Sequence, residues 1–180
     1  MKTLHKVIML GALACAAASC ESPGTRTTQG PQMRPATITG ARRIANVRTT
    51  AYTHTERGGR KNAIGARLAG ANVMSAAADW SRFPIGTKFQ ILQTGEICQV
   101  DDYGSALVGT NTIDLYKSSR GSMNNWGVRL VDIRILQWGS PSKSLEILSP
   151  RAGNWHVRRM ITELRVQMQP MPTTFRKVKS

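Results

Sequence analysis

The run Val128–Gly139, VRLVDIRILQWG, alternates through its middle: Val131, Ile133 and Ile135 fall on one side of an extended chain, Asp132 and Arg134 on the other. Successive side chains of a strand point to opposite faces, so this period of two predicts a strand buried on one face and solvated on the other. A single strand has nothing to bury that face against. The rest of the chain has to supply its partners.

Upstream, the chain breaks into short β-branched or apolar segments divided by turn residues. VRTTAYT (Val47–Thr53) and NVMSAAA (Asn72–Ala78, ending at Asp79) each read as a strand. Pro84 and Gly86 mark a turn before the alternating Thr87–Leu92 run, and Thr94-Gly95-Glu96 turns into ICQVD, which predicts a hairpin. TIDLY (Thr112–Tyr116) is one more short strand. In SSRGSMNNWG, Ser118 or Ser119 caps one or two helical turns that Gly127 ends. The expectation is a mainly-β core from Val47 to Gly139, an all-β barrel or sandwich with short helical turns.

Past Gly139 the pattern changes. SLEIL (Ser144–Leu148) reads as a further strand or turn. NWHVRRMITELRVQM (Asn154–Met168) puts Trp155, Met160, Ile161 and Leu164 near helical spacing, the mark of a short C-terminal amphipathic helix packed on the core. Pro170–Ser180 is basic and is expected to fray.

The N-terminus carries a different signal. A short basic region, Met1 to Lys6, precedes the apolar Val7–Ala18 run, and small residues lead up to Cys20 in AAASC. This reads as a secretory signal peptide over residues 1–19, too short for a transmembrane helix. AAASC also resembles a bacterial lipobox, in which the cysteine is lipidated and becomes the first residue. Ordinary cleavage near Ala18 without a lipid is the other reading. Glu21 follows the cysteine, where an inner-membrane retention signal has aspartate, so an outer-membrane lipoprotein facing the periplasm is expected. From Glu21 to about Ile44 the chain is rich in Thr, Gly, Pro, Gln and Arg without a hydrophobic period, as in a flexible tether. The expected organisation is therefore signal peptide 1–19, lipidated N-terminus and tether 20–46, barrel 47–140 and basic extension 141–180.

With 180 residues and 41% hydrophobic content, the chain has room for one core domain plus appendages. Its formal net charge is +15. A basic exported protein is drawn to polyanions, among which wall polymers and acidic lipid headgroups suit an exported location better than nucleic acid. The basic residues lack the interleaved aromatics of a nucleic-acid groove, so no nucleic-acid partner is expected. Cys15 leaves with the signal and Cys20 carries lipid, so Cys98 has no partner for a disulfide and reads as a small buried hydrophobe. His54 and His156 show no metal-ligand spacing; neither a metal nor a cofactor is expected.

Against this basic background, Gln99–Tyr116, QVDDYGSALVGTNTIDLY, holds Asp101, Asp102 and Asp114 and no Lys or Arg. Clustered acids raise one another's pKa and cost stability unless something uses them. The residues alone also allow structural roles: Asp79 capping a turn before WSRFP, and Asp101-Asp102 forming a turn before Gly104. Tyr52, Tyr103 and Trp126 are candidates to line a sugar-stacking groove, with core packing the simpler role for Trp126.

Four segments in order, TAYT (Thr50–Thr53), AADWSRFPIGT (Ala77–Thr87), DYGSALVGTNTIDLY (Asp102–Tyr116) and NNWGVRLVDIRIL (Asn124–Leu136), together resemble the three-aspartate (3D) domain of bacterial cell-wall proteins. That family includes the C-terminal part of the membrane-bound lytic transglycosylase A group and small stationary-phase muralytic factors. The resemblance covers about half the chain. It implies a six-stranded double-psi β-barrel and lytic transglycosylase activity on peptidoglycan. The family aspartates fall on Asp79, Asp102 and Asp114, with Gly104 and Ser105 of the third segment against the substrate. The family's second Gly is Ser105 here, its Lys before Gly109 is Val108, one extra residue lies between Gly109 and Ile113, and the Pro after the first aspartate is Trp80.

Such an enzyme cleaves the MurNAc–GlcNAc bond without water. One carboxyl protonates the leaving oxygen, then takes the proton of the muramic 6-hydroxyl as that hydroxyl attacks its own anomeric carbon. The resemblance gives this role to Asp114, with Asp102 and Asp79 as neighbours that raise its pKa by like-charge repulsion. Two functions remain open: a monomeric lytic transglycosylase anchored by lipid, or a non-catalytic peptidoglycan-binding lipoprotein that keeps the barrel.

Overall fold

The computed structural model describes residues 42–56 and 58–169; the expected signal peptide, Cys20, nearly all of the tether and the segment from Pro170 lie outside the described residues. Six strands, β1 (Arg43–Tyr52), β2 (Val73–Ala77), β3 (Lys88–Ile91), β4 (Ile97–Asp102), β5 (Ile113–Tyr116) and β6 (Arg129–Gln137), close into a barrel in the order β1-β5-β2-β4-β3-β6. Two pairings are parallel, β1 with β5 and β2 with β4, and the other four are antiparallel. Closure leaves no free sheet edge. The described residues are therefore mainly β, with a closed six-stranded barrel and three short α-helices.

The alternating run behaves as its period requires. Val131, Ile133 and Ile135 of β6 point into the core, and Asp132 and Arg134 point away. Phe89, Ile91, Cys98, Val100, Ile113 and Leu115 meet them there. Burial pushes the Cys98 thiol up to about 12, so it stays protonated and serves as packing. The β3–β4 hairpin turns at Gly95, and Ser119 caps α1 (Arg120–Trp126) by accepting the Ser122 N–H, with Gly127 at the other end.

Three details differ from the sequence reading. Strand β1 begins at Arg43, before the expected Val47, because Arg43 and Ile44 pair with Arg134 and Ile133 of β6. A bulge between Ile44 and Val47, with Asn46 at φ 54°, breaks the alternation that would have revealed it. Asp132 pins that bulge, accepting from the Asn46 N–H at 3.0 Å and from Arg43 at 2.5 Å.

SLEIL is neither strand nor turn. It is the body of α2 (Pro141–Leu148), capped by Ser140 and opened by a proline that suits a first helical turn. The buried Ser144 hydroxyl accepts the Ile85 N–H at 3.0 Å, which fixes α2 on the barrel. Gly139, just before the cap, runs so close to the Pro84 and Ile85 carbonyls that a Cβ there would overlap them.

Trp155 is also misplaced by the sequence reading. In α3 (Trp155–Met168) the buried row is Val157, Met160, Ile161 and Leu164, while Trp155 is 59% exposed. At 100° per residue, position 155 lies about 200° from Val157 and faces away from the core.

Candidate active site

Ala77, the last residue of β2, has an aspartate opposite it on each side: Asp114 of β5 and Asp102 of β4. Neighbouring strands lie about 4.8 Å apart, so the two aspartate backbones stand roughly 10 Å from each other across one small side chain. Asp102 owes this position to a bulge. Ala76 pairs with Val100 but Ala77 pairs with Asp102, so Asp101 is an extra residue in β4. Were Asp101 paired regularly with Ala77, the strand's two-residue period would turn Asp102 toward the core side occupied by Val100.

The two carboxyls open on a cavity of about 530 Å³. Tyr52, Tyr103, Gly104 and Ser105 line the same space, as do Glu56 and Leu107. Tyr103 packs edge-on against the buried Trp80 at 5.1 Å, and Tyr52 edge-on against Tyr116 at 5.6 Å. The Tyr52 hydroxyl is buried without a hydrogen-bond partner among the described residues. Burial, then the charges of Asp102, Asp101 and Asp114, push its pKa far up, so it remains a neutral phenol.

Burial raises both cavity acids. The Asp102 carboxyl is pushed up to about 6, chiefly by burial and further by the Asp101 charge, against the lowering effect of the Tyr103 N–H that it accepts at 2.9 Å. Asp114 is raised by burial first, lowered by the Thr50 hydroxyl at 2.6 Å, and raised again by the Glu56 charge. The expectation that neighbouring aspartates lift Asp114 is corrected: desolvation dominates, and the acid beside it is Glu56. Glu56 was missed because it lies in a turn outside the acidic run; its one signal was an acid just past Tyr52 in a basic chain. At a pKa of about 6 the Asp102 carboxyl is protonated in roughly a tenth of molecules at pH 7.

Asp79 is placed elsewhere. It is fully buried and does not line the cavity. Its Oδ1 accepts from the Ser81 N–H at 2.9 Å and the Ser81 hydroxyl at 2.6 Å; its Oδ2 accepts from the Gly109 N–H at 2.6 Å. The turn-capping role read from the sequence is thus present, joined to a long-range bond into the loop that walls the cavity. Asp101 is buried as well, accepting from Asn62 at 2.9 Å and from the Ser75 hydroxyl at 2.6 Å, which ties the segment after β1 to the barrel. Trp126 is core packing: its indole N–H donates to Thr49 at 3.2 Å, and it lies outside the cavity.

His54 bonds the Tyr116 hydroxyl at 2.9 Å, and among the described residues no three His, Cys, Asp or Glu side chains gather as a metal-binding group. Compared with known proteins, the chain matches no protein-family model and no curated protein. The resemblance to the 3D domain therefore rests on the four ordered segments of sequence.

Proposed function

We propose that this chain is a peptidoglycan lytic transglycosylase of the three-aspartate type, its barrel of the double-psi kind, held by a lipid on Cys20 at the outer membrane and facing the periplasmic wall. One observation carries the reading: two carboxyls raised by burial share a tyrosine-flanked cavity from opposite sides of Ala77. A glycosidic bond needs a proton for its leaving oxygen and negative charge near the oxocarbenium centre, and two such carboxyls supply both.

Asp114 is the acid. Thr50 occupies its Oδ1, which leaves Oδ2 to carry the proton toward the cavity. That proton goes to the glycosidic oxygen as the GlcNAc leaves, and the electron pair of the broken bond stays with that oxygen. The Asp114 carboxylate then takes the proton of the muramic 6-hydroxyl as its oxygen bonds to the anomeric carbon. The acid is regenerated, and the product is a 1,6-anhydromuramic end. Asp102 faces the same space and stabilises the positive charge that develops; Tyr52 and Tyr103 offer ring faces and edges to the sugar rings. Asp79 acts at a distance by fixing the loop through Gly109.

The test is digestion of purified sacculi followed by mass spectrometry of the soluble products. Anhydromuropeptides are expected. Intact sacculi carrying bound protein would overturn catalysis and leave a wall-binding lipoprotein.

A further inference from the structure

The barrel closes with β6, so α3 is not needed to complete it. Its buried row covers the core, but a second row does something else. Arg159, Glu163 and Gln167 recur every four residues and so share one edge of the helix. Two of them meet Ser81 in the segment that supports the cavity loop, and the third meets the loop itself. Glu163 Oε2 lies 2.9 Å from the Ser81 hydroxyl, and Gln167 Nε2 donates to the Ser81 carbonyl at 2.9 Å. The Arg159 guanidinium, held by Glu163 Oε1 at 3.0 Å, lies against Gly109: a Cβ on that glycine would stand 2.6 Å from Arg159 Nη2.

Ser81 hands this contact on. Its hydroxyl stands between Glu163 Oε2 and Asp79 Oδ1, sharing one hydrogen between two carboxylates, and Asp79 Oδ2 holds the Gly109 N–H. Arg82 adds a longer bond to the Gly109 carbonyl at 3.4 Å. Gly109, at φ 83°, ends the loop whose residues Gly104, Ser105 and Leu107 wall the cavity. We propose that α3 is a positioning element of this site: Glu163 and Arg159, acting through Ser81, Asp79 and Gly109, hold the Gly104–Gly109 loop beside Asp102 and Asp114. The proposal rests on reading that cavity as the active site, and not on which bond is cut there.

The test uses the full chain and needs no substrate. Hydrogen exchange is followed by mass spectrometry over the 104–110 and 155–168 segments, and the Asp102 carboxyl is titrated by carbon NMR. In Glu163→Ala, exchange over 104–110 is expected to quicken by about tenfold or more, the effect of losing one charge-assisted bond. The Asp102 midpoint, near 6 in the wild type, is expected to fall as water reaches the carboxyl. Glu163→Gln, whose amide oxygen can accept from Arg159 while its NH2 donates to the Ser81 oxygen, is expected to recover most of both changes.

Wild-type exchange and titration in Glu163→Ala would overturn the proposal and leave α3 a cover for the core. If Glu163→Ala also loosens the 155–168 segment, Arg159→Met decides, because it removes the guanidinium and keeps the packed stem. Faster exchange over 104–110 in that variant, with α3 still protected, supports the proposal; unchanged exchange overturns it. Failure of the wild type to release anhydromuropeptides would sink the proposed reaction without touching these measurements.

Discussion

Asp79 Oδ2 accepts the Gly109 backbone N–H at 2.6 Å, joining the turn after β2 to a loop thirty residues further along the chain. The carboxylate is fully buried, and its other oxygen takes both the N–H and the hydroxyl of Ser81. An aspartate matched to the family's first acid thus works through backbone geometry.

Asp79→Ala should therefore destabilise the fold. It leaves the buried N–H of Ser81 and the half-buried N–H of Gly109 without an acceptor, at about 1–3 kcal/mol for each group that finds no water. The thermal midpoint should drop by several degrees, and Asp79→Asn, which keeps one acceptor oxygen, should drop less. A midpoint equal to wild type in the alanine variant would mean that these bonds contribute nothing to stability.

Asp114→Asn should leave the barrel folded and reduce release of anhydromuropeptides by about 10²–10⁴-fold, the usual contribution of a general acid–base group. An amide has nearly the shape of a carboxyl but cannot cycle a proton. Asp102→Asn should also weaken turnover, by a smaller factor, since it removes a charge and not the proton donor. Product yields at matched folded concentration, verified by circular dichroism, separate the two; a larger loss in Asp102→Asn would transfer the acid role to that residue.

Glu56→Gln tests the electrostatics around Asp114. The Glu56 charge raises the Asp114 pKa, so removing it lowers that pKa. An enzyme that needs protonated Asp114 loses activity as pH rises through that pKa. The alkaline limb of the pH–rate profile should accordingly move to lower pH in the variant, and a limb that stays in place would rule out Asp114 as the titrating acid.

Asp102 should impose a pH-dependent stability cost. Its carboxyl has a pKa of about 6 when folded, above the ordinary unfolded value near 3.9. Below pH 3.9 both states are protonated and the cost is absent; between the two values the unfolded state ionises first; above pH 6 the full cost is present. Asp102→Asn should then match wild type near pH 3.5 and exceed it above pH 6, by about 1–2 kcal/mol once partial exposure is discounted. Urea unfolding at the two pH values measures the difference. An equal gain at both would place the cause in packing.

Cys20→Ser should shift the protein from the membrane fraction to the soluble periplasmic fraction. Equal solubility of the two would refute the lipid anchor and leave simple export.

Local patterns were enough for much of the fold. The period of two in Val128–Gly139, the turn at Gly95 and the caps at Ser119 and Gly127 lie within a few residues of what they control, so the strand, hairpin and helix they specify were legible. Nothing local announced the bulges. The one at Asn46 hid the start of β1, and the extra Asp101 in β4 decides which face carries Asp102, because register depends on the partner strand. The same holds for the site. The sequence reading made Asp102 and Asp79 alike the neighbours of Asp114; tertiary structure put Asp102 and Asp114 on either side of Ala77, withdrew Asp79 to the Gly109 bond, and brought in Glu56 and, from α3, Glu163. Composition and spacing record which acids are present. Burial and distance fix their pKa values and partners, and both arise only when segments far apart in the chain come together.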